Sequence, residues 1–139
     1  MLGAEQVPFC NSKIGPAAPP IKTKKGWLTL FHAVDKAPDR VLAGWEGNWK
    51  KRYTVGLMLL DLADPARVIG MCPEPVMMPD AQYPYKVDGF RGSVLFPTGM
   101  ILEDNGEVKI YYGASDTVMA LATAQVDDLL ALCEPVERQ

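Results

Sequence analysis

The residues that could do chemistry in this chain are few, and three of them lie in a phrase that occurs twice. Residues 26–35 read GWLTLFHAVD and residues 106–116 read GEVKIYYGASD, so a turn glycine, an apolar run and a closing aspartate recur. His32 is the only histidine, and Asp35 and Asp116 end the two copies. An imidazole can donate a directed hydrogen bond to an oxyanion. The structural alternatives are a satisfied histidine at a strand end and aspartates that cap turns.

Other reactive side chains offer no second centre. One histidine without paired Cys/His spacing argues against a zinc site, and neither a metal nor another cofactor is expected. The three cysteines, odd in number and scattered, favour reduced thiols in a cytoplasm over a disulfide framework; they are Cys10, Cys72 and Cys133. Three further aspartates lie in strand, turn and loop contexts without an environment that would raise a pKa; they are Asp61, Asp64 and Asp80. We expect no catalytic acid among them.

A tryptophan-bearing segment runs from Lys36 to Arg52. It is too long for a minimal hairpin and contains Trp45 and Trp49. Long loops of this kind are often functional, which predicts a contact loop. The alternative, at equal weight, is that both rings cover the end of a sheet, because exposed tryptophan is costly to leave in water.

Short strands joined by turns must position these residues. The twelve glycines and twelve prolines fall between the apolar runs, as expected of an all-β chain. We predict strands near 18–23, 27–33, 53–61 and 67–71 for a first unit, and near 95–102, 107–113 and 117–125 for a second. Lys25-Gly26 and Asn105-Gly106 predict tight turns with positive φ. Acidic residues early in 125–132 predict a short C-terminal helix.

The repeated phrase predicts the architecture. Two copies of one antiparallel unit are typical of propeller blades. We therefore predict an all-β fold, a partial β-propeller of about two antiparallel blades with a short C-terminal helix. Residues 1–139 would form a single domain with blade-like repeats at 13–79 and 94–139.

The charge and hydropathy of the chain argue against nucleic acids and membranes as partners. The net charge of −3 gives no electrostatic case for nucleic acid. The longest apolar runs are far shorter than the roughly 18 residues of a membrane-crossing helix, and no signal-peptide pattern opens the chain. We expect a cytoplasmic protein that binds neither membranes nor nucleic acid.

Seven separated motifs together resemble one family. In chain order they are FCNSKIGP (9–16), PPIKT (19–23), GWL (26–28), HAVD (32–35), LLDLADP (59–65), FPTG (96–99) and YYGASD (111–116). This series resembles the carboxy-terminal part of glycoside hydrolase family 130, the β-mannoside phosphorylases and related mannosidases, which fold as five-bladed β-propellers. The resemblance covers nearly the whole chain, and the tryptophan hairpin, longer here than is usual in the family, departs from it.

The resemblance implies a set of site residues. Lys13 and His32 match positions that help bind inorganic phosphate, where an ammonium supplies point charge and an imidazole a directed hydrogen bond. The positions implied near the sugar are aromatic or acidic: Tyr53, Phe96, Asp116 and Asp35. Asp116 would bind sugar hydroxyls, and Asp35 is its repeat-mate.

The resemblance also implies what is missing. In the family the general-acid aspartate and the phosphate-binding arginines come from amino-terminal blades, and glycosyl transfer needs that proton donor. We therefore expect no catalytic residue in this chain and an inactive isolated chain. The leading hypothesis is a propeller-derived domain that binds mannose-type sugar or phosphate, or is purely structural, and assembles as a homo-oligomer. One alternative is a piece or subunit of a mannoside phosphorylase that acts with a partner chain. The other is the product of a mobile or orphan reading frame that folds without a selected ligand.

Overall fold

The computed structural model describes residues 2–37, 45 and 48–136, and this part of the chain is built mainly of β-strands. In chain order the strands are β1 (Lys13–Pro16), β2 (Ile21–Lys22), β3 (Trp27–Lys36), β4 (Lys51–Leu60), β5 (Val68–Met71), β6 (Leu95–Leu102), β7 (Glu107–Ala114), β8 (Val118–Gln125) and β9 (Glu134–Pro135). The helix α1 (Val126–Ala131) lies between β8 and β9. Single 3-10 turns lie at Ala4–Gln6 and Pro84–Lys86.

The first sheet has the order β1-β3-β4-β5-β9, and β2 also pairs with β3. Its two central strands, β3 and β4, are antiparallel in register from Trp27 opposite Leu60 to Lys36 opposite Lys51. Side chains alternate between the two faces of a strand. The first sheet is therefore buried on both sides of β3, with Leu28 in the main core and Phe31 in a smaller cluster with Val7.

The second sheet is the antiparallel series β6-β7-β8. The predicted turn at Asn105-Gly106 joins β6 to β7, where Gly106 has φ +84° and Asn105 Oδ1 accepts a hydrogen bond from the Glu107 N–H at 3.0 Å. The matching prediction for Lys25-Gly26 is wrong, because Gly106 alone among the described glycines has a positive φ. Thr23 closes that turn instead, since its Oγ1 accepts from the Gly26 N–H at 3.2 Å.

The main core lies between the two sheets and is closed at one end by α1. Its buried members come from β3, β4, β6, β7 and the helix, and include Leu30, Leu57, Leu95, Ile110 and Leu129. The outer face of the second sheet carries exposed apolar side chains, which are Ile101, Tyr111, Met119 and Leu121. We call these four the outer apolar face.

The fold-class prediction is confirmed: the chain is nearly all-β, with two antiparallel sheets and one short C-terminal helix in the described residues. The two segments that carry the repeated phrase are the strands β3 and β7. Pairing crosses the predicted repeat boundary, because β9, from the second repeat, pairs with β5 of the first, and Val94 forms a parallel bridge with Tyr53. No helix in the described part of the chain is long and apolar enough to cross a membrane.

Candidate functional site

Four of the predicted site residues meet at one end of the first sheet. Lys13 and Tyr53 both lie opposite Val34, on β1 and β4 respectively, and His32 lies two residues away on β3. Directly opposed residues, and residues two apart on a strand, share a face. Lys13, His32 and Tyr53 therefore share one face, and Phe96 reaches His32 from β6 of the second sheet.

A series of ring contacts links these residues, and we call it the aromatic ladder. The centroids of Phe96 and His32 are 4.6 Å apart, those of His32 and Tyr53 5.6 Å, and those of Tyr53 and Trp49 5.9 Å. The Lys13 ammonium lies 5.8 Å from the Tyr53 ring centroid, within the range of a cation–π contact. The Lys13 ammonium and the rings of the aromatic ladder therefore form one continuous surface.

The His32 ring is held in place by contacts with Gly15 and with the Pro16 carbonyl group. It pairs with Gly15 across β1 and β3, and a Cβ at Gly15 would lie 2.3 Å from its ring, so this close approach requires glycine. Its Nδ1 lies 3.1 Å from the Pro16 carbonyl oxygen. Burial, with a smaller effect from the Lys13 ammonium, lowers the pKa of His32, and the Pro16 hydrogen bond offsets part of that change.

Trp49 extends the ladder toward a pair of charged residues. The Arg91 guanidinium lies 4.8 Å and the Lys51 ammonium 5.5 Å from its ring. Arg91 Nη1 in turn lies 3.6 Å from Asp116 Oδ2. Asp116 is therefore connected to the ladder through Arg91 and Trp49, at the end away from His32.

The turn that carries Asp116 is unusual and firmly attached. Ser115 and Asp116 have φ of +51° and +49°, a left-handed conformation that non-glycine residues seldom adopt. The preceding segment holds this turn in place: the Ser115 N–H donates to Val94 O at 2.8 Å, and the Arg91 N–H donates to Ser115 O at 3.2 Å. The Phe90 N–H donates to Thr117 Oγ1 at 2.9 Å.

The structure does not bring Asp35 to this site. Asp35 is three residues from His32, so it lies on the opposite face of the sheet. There it accepts a hydrogen bond from Arg52 Nη2 at 3.1 Å. It lines an open cleft of about 260 Å³ with Phe9 and Cys10. The implied position of Asp35 near the sugar, beside Asp116, therefore has no support from the geometry.

The two tryptophans differ. Trp45 is 69% exposed, whereas Trp49 is half-buried on Tyr53. Trp49 thus covers the end of the sheet, whereas the structural alternative expected both rings to do so, and the contact-loop prediction stays a prediction. Residues 38–44 and 46–47 of this segment lie outside the described residues.

Sequence reasoning missed Arg91. It lies in a stretch without strand or helix periodicity, and only its closeness to the FPTG motif could have drawn attention to it. Among the three further aspartates, the Asp61 carboxylate accepts hydrogen bonds from the Ala63 and Asp64 N–H groups at 2.8 and 3.1 Å. Those two hydrogen bonds lower the pKa of Asp61 and keep it ionised, which suits a turn and not a proton donor.

The family model for beta-1,4-mannooligosaccharide phosphorylase, that of glycoside hydrolase family 130, matches residues 4–135. The chain belongs to glycoside hydrolase family 130. The resemblance predicted from the seven motifs is thereby confirmed.

Individual members of family 130 show how much of the family's length is present. A 1,2-beta-oligomannan phosphorylase of Thermoanaerobacter sp. (strain X514) is 32% identical over 86% of this chain and 35% of its own length. A 4-O-beta-D-mannosyl-D-glucose phosphorylase of Bacteroides fragilis is 36% identical over 87% of this chain and 28% of its own. The chain therefore spans about a third of the length of these curated relatives.

A solved family 130 structure also matches this chain over about a third of its own length. Beta-1,2-mannobiose phosphorylase from Listeria innocua, in complex with beta-1,2-mannobiose, superposes with a TM-score of 0.76 at 32% identity. The superposition covers 95% of this chain and 33% of that one. The two sheets described above correspond to part of a larger enzyme fold.

Proposed function

We propose that this chain binds phosphate and a mannose-type sugar, as one wall of a family 130 site. The observation that carries the proposal is that Lys13, His32, Tyr53 and Phe96 share one surface, with His32 in ring contact with both aromatic residues. The resemblance assigns the same four positions to phosphate and sugar. Their proximity was not required by any one motif, which is why it supports the assignment.

The anion end of the proposed site is Lys13 with His32. The Lys13 side chain is exposed and can move its ammonium toward an oxyanion. The ring of His32 can add a directed hydrogen bond. Without the arginines that the family supplies from other blades, bidentate contacts are missing, so we expect millimolar affinity at best.

The sugar end comprises Tyr53, Phe96 and Asp116. Both rings are partly exposed, which leaves apolar surface against which a pyranose can pack. The Asp116 carboxylate can accept hydrogen bonds from sugar hydroxyls. The sugar would then lie between the anion end and the Arg91–Asp116 pair.

We propose further that the chain alone does not turn over β-mannosides. Phosphorolysis with a sugar leaving group needs a proton donor, and Asp61, whose carboxylate accepts two backbone hydrogen bonds in its turn, is held ionised. The second candidate function is a piece or subunit of a mannoside phosphorylase completed by another polypeptide. The 28–35% coverage of the relatives' length favours it. Phosphate-dependent release of mannose 1-phosphate by the isolated chain would contradict the proposal that the chain alone is inactive.

We propose also that the chain forms a homo-oligomer and that it lies in a reducing compartment such as the cytoplasm. The outer apolar face is exposed, and exposed apolar faces and free strand edges favour association. Closure of a propeller-like ring is the arrangement we propose, with a dimer through Trp45 and Trp49 as the alternative. Cys10, Cys72 and Cys133 are free thiols, which suits a reducing compartment.

Titration of phosphate and of mannose, followed by NMR of the His32 ring and the Tyr53 and Phe96 rings, tests the proposed function. Phosphate should shift the His32 signals, mannose should shift the aromatic signals, and Lys13→Met should weaken phosphate binding. The matched control is Lys24→Met, which removes an exposed lysine paired with Asp127 at 3.4 Å. Unchanged spectra with both ligands, or equal effects of the two variants, would contradict the proposal.

A further inference from the structure

The contact between Arg91 and Asp116 is longer than two comparable arginine–aspartate contacts. Two other arginine–aspartate pairs in the described part of the chain lie at hydrogen-bonding distance, 3.0 and 3.1 Å: Arg67–Asp61 and Arg52–Asp35. Arg91 Nη1 and Asp116 Oδ2 are 3.6 Å apart, which is too long for a direct hydrogen bond. A polar contact of this length is the geometry in which a third oxygen can bond to both partners.

The positions of both partners are set by the surrounding structure. Asp116 lies in the left-handed turn, and hydrogen bonds between Ser115 and Val94 and between Arg91 and Ser115 join that turn to the segment that carries Arg91. The Trp49 ring supports the guanidinium at 4.8 Å. A strained backbone persists when its surroundings over-determine it, and such strain concentrates at ligand sites.

The chemistry of the gap fits a hydroxyl. A hydroxyl hydrogen can be donated to the Asp116 carboxylate while the hydroxyl oxygen accepts an N–H from Arg91. Both bonds are assisted by a charge. An anion would meet repulsion from Asp116, so phosphate should remain at the Lys13 and His32 end.

We propose that one sugar hydroxyl bridges Arg91 and Asp116, which makes Arg91 a specificity-determining residue of the site. The inference rests on the proposed function, because it needs a sugar on the aromatic ladder. It adds a cation to the sugar end and gives the ladder two chemically different ends, one that selects an anion and one that selects a neutral hydroxyl group. The acceptor and the donor would recognise the same hydroxyl, so its removal leaves both charged groups without that bond.

The test is a binding cycle with mannose and the series of its monodeoxy analogues, measured by NMR or calorimetry. In the wild-type chain one analogue should bind about tenfold or more weakly than mannose. In Arg91→Met, mannose should bind as weakly as that analogue, and the analogue itself should lose little more. Coupling of this kind identifies a direct partner of the missing hydroxyl. Arg67→Met, which also removes an arginine from an aspartate pair, should leave the discrimination intact.

The outcomes separate the two proposals. Mannose binding by the wild type with full discrimination retained in Arg91→Met would overturn the role of Arg91 and leave the proposed function standing. Absence of mannose binding by the wild type would overturn both. If Arg91→Met fails to fold in a thermal-unfolding control, Arg91→Leu replaces it. Leucine also lacks an N–H donor in its side chain, so intact discrimination in that variant would count against the proposal.

Discussion

At the scale of single residues, the proton on His32 decides what its ring can bind. The Pro16 carbonyl can only accept, so Nδ1 must be the donor in that 3.1 Å hydrogen bond. In the neutral ring Nε2 then carries a lone pair and no proton. An oxyanion at Nε2 therefore requires the imidazolium form, which burial and the Lys13 ammonium disfavour. Anion binding and protonation at His32 should be coupled.

We expect the affinity for sulfate to rise as the pH falls toward the pKa of His32, which lies below its usual 6.5. Sulfate keeps its charge across this range, so the titration reports the protein and not the ligand. The measurement is the sulfate Kd by NMR from about pH 8 to about pH 5. His32→Gln should bind weakly and without that dependence. A pH-independent Kd in the wild type would show that His32 does not donate to the anion.

The same shift makes stability depend on pH. Because the pKa of His32 is lowered by folding, the unfolded chain takes up the proton more readily. The contribution of His32 to stability is therefore present above pH 6.5 and is lost as the pH falls through the lowered pKa. Saturating sulfate should reduce this acid destabilisation in the wild type and have no such effect in His32→Gln.

At the scale of elements, alternation along a strand predicted which side chains lie on the same face. It did not predict contacts between segments that are distant in sequence. The two adjacent tyrosines of β7 lie on opposite faces of the strand, as alternation requires, and Tyr112 is 2% and Tyr111 39% exposed. The same alternation separates Asp35 from His32, although family resemblance grouped them. Arg91 could not be predicted from its own segment, because its backbone hydrogen bond is made to Ser115 in the turn after β7, which is distant in sequence.

The attachment between the Arg91 segment and this turn depends on Thr117. Its Oγ1 accepts from the Phe90 N–H at 2.9 Å and donates to Ser115 O at 2.8 Å. Thr117→Val keeps the shape and removes both bonds, so we expect a loss of about 1 kcal/mol in the free energy of unfolding. Hydrogen exchange at Phe90 should also become faster.

Thr123→Val is the matched control for Thr117→Val, since Thr123 is an exposed threonine on β8. It should leave both the free energy of unfolding and the exchange at Phe90 unchanged. If the two variants behave alike, Thr117 does not fasten the turn.

At the scale of the whole molecule, a chain that spans about a third of its relatives' length exposes apolar surface. Met119 is 65% and Leu121 50% exposed on the outer apolar face. Such a patch is typical of an interface. The sequence predicted two sheets with apolar faces left in water but did not identify the residues of this face, because they occupy ordinary alternating strand positions.

We expect Met119→Lys combined with Leu121→Lys to convert an oligomer into a monomer, because two ammonium groups cannot be desolvated cheaply at an apolar interface. Light scattering should give a multiple of 15.2 kDa for the wild type and 15.2 kDa for the variant. Leu62→Lys, at a 42% exposed leucine outside the sheets, should leave the wild-type mass unchanged. A monomeric wild type would end the oligomer proposal. Persistence of the oligomer in Trp45→Ala with Trp49→Ala would exclude the tryptophan-mediated dimer.

The pairing of β9 with β5 determines when the first sheet can be completed during synthesis. Gly70 and Met71 pair with Pro135 and Glu134, so the last strand of that sheet comes from the far end of the described chain. A nascent chain on the ribosome could form the β3–β4 hairpin early, since those strands are close in sequence. The exposed edge of β5 would stay open until residue 135 had left the exit tunnel, and contacts of such long sequence separation form slowly. During that interval the free edge of β5 is open to pairing with other chains.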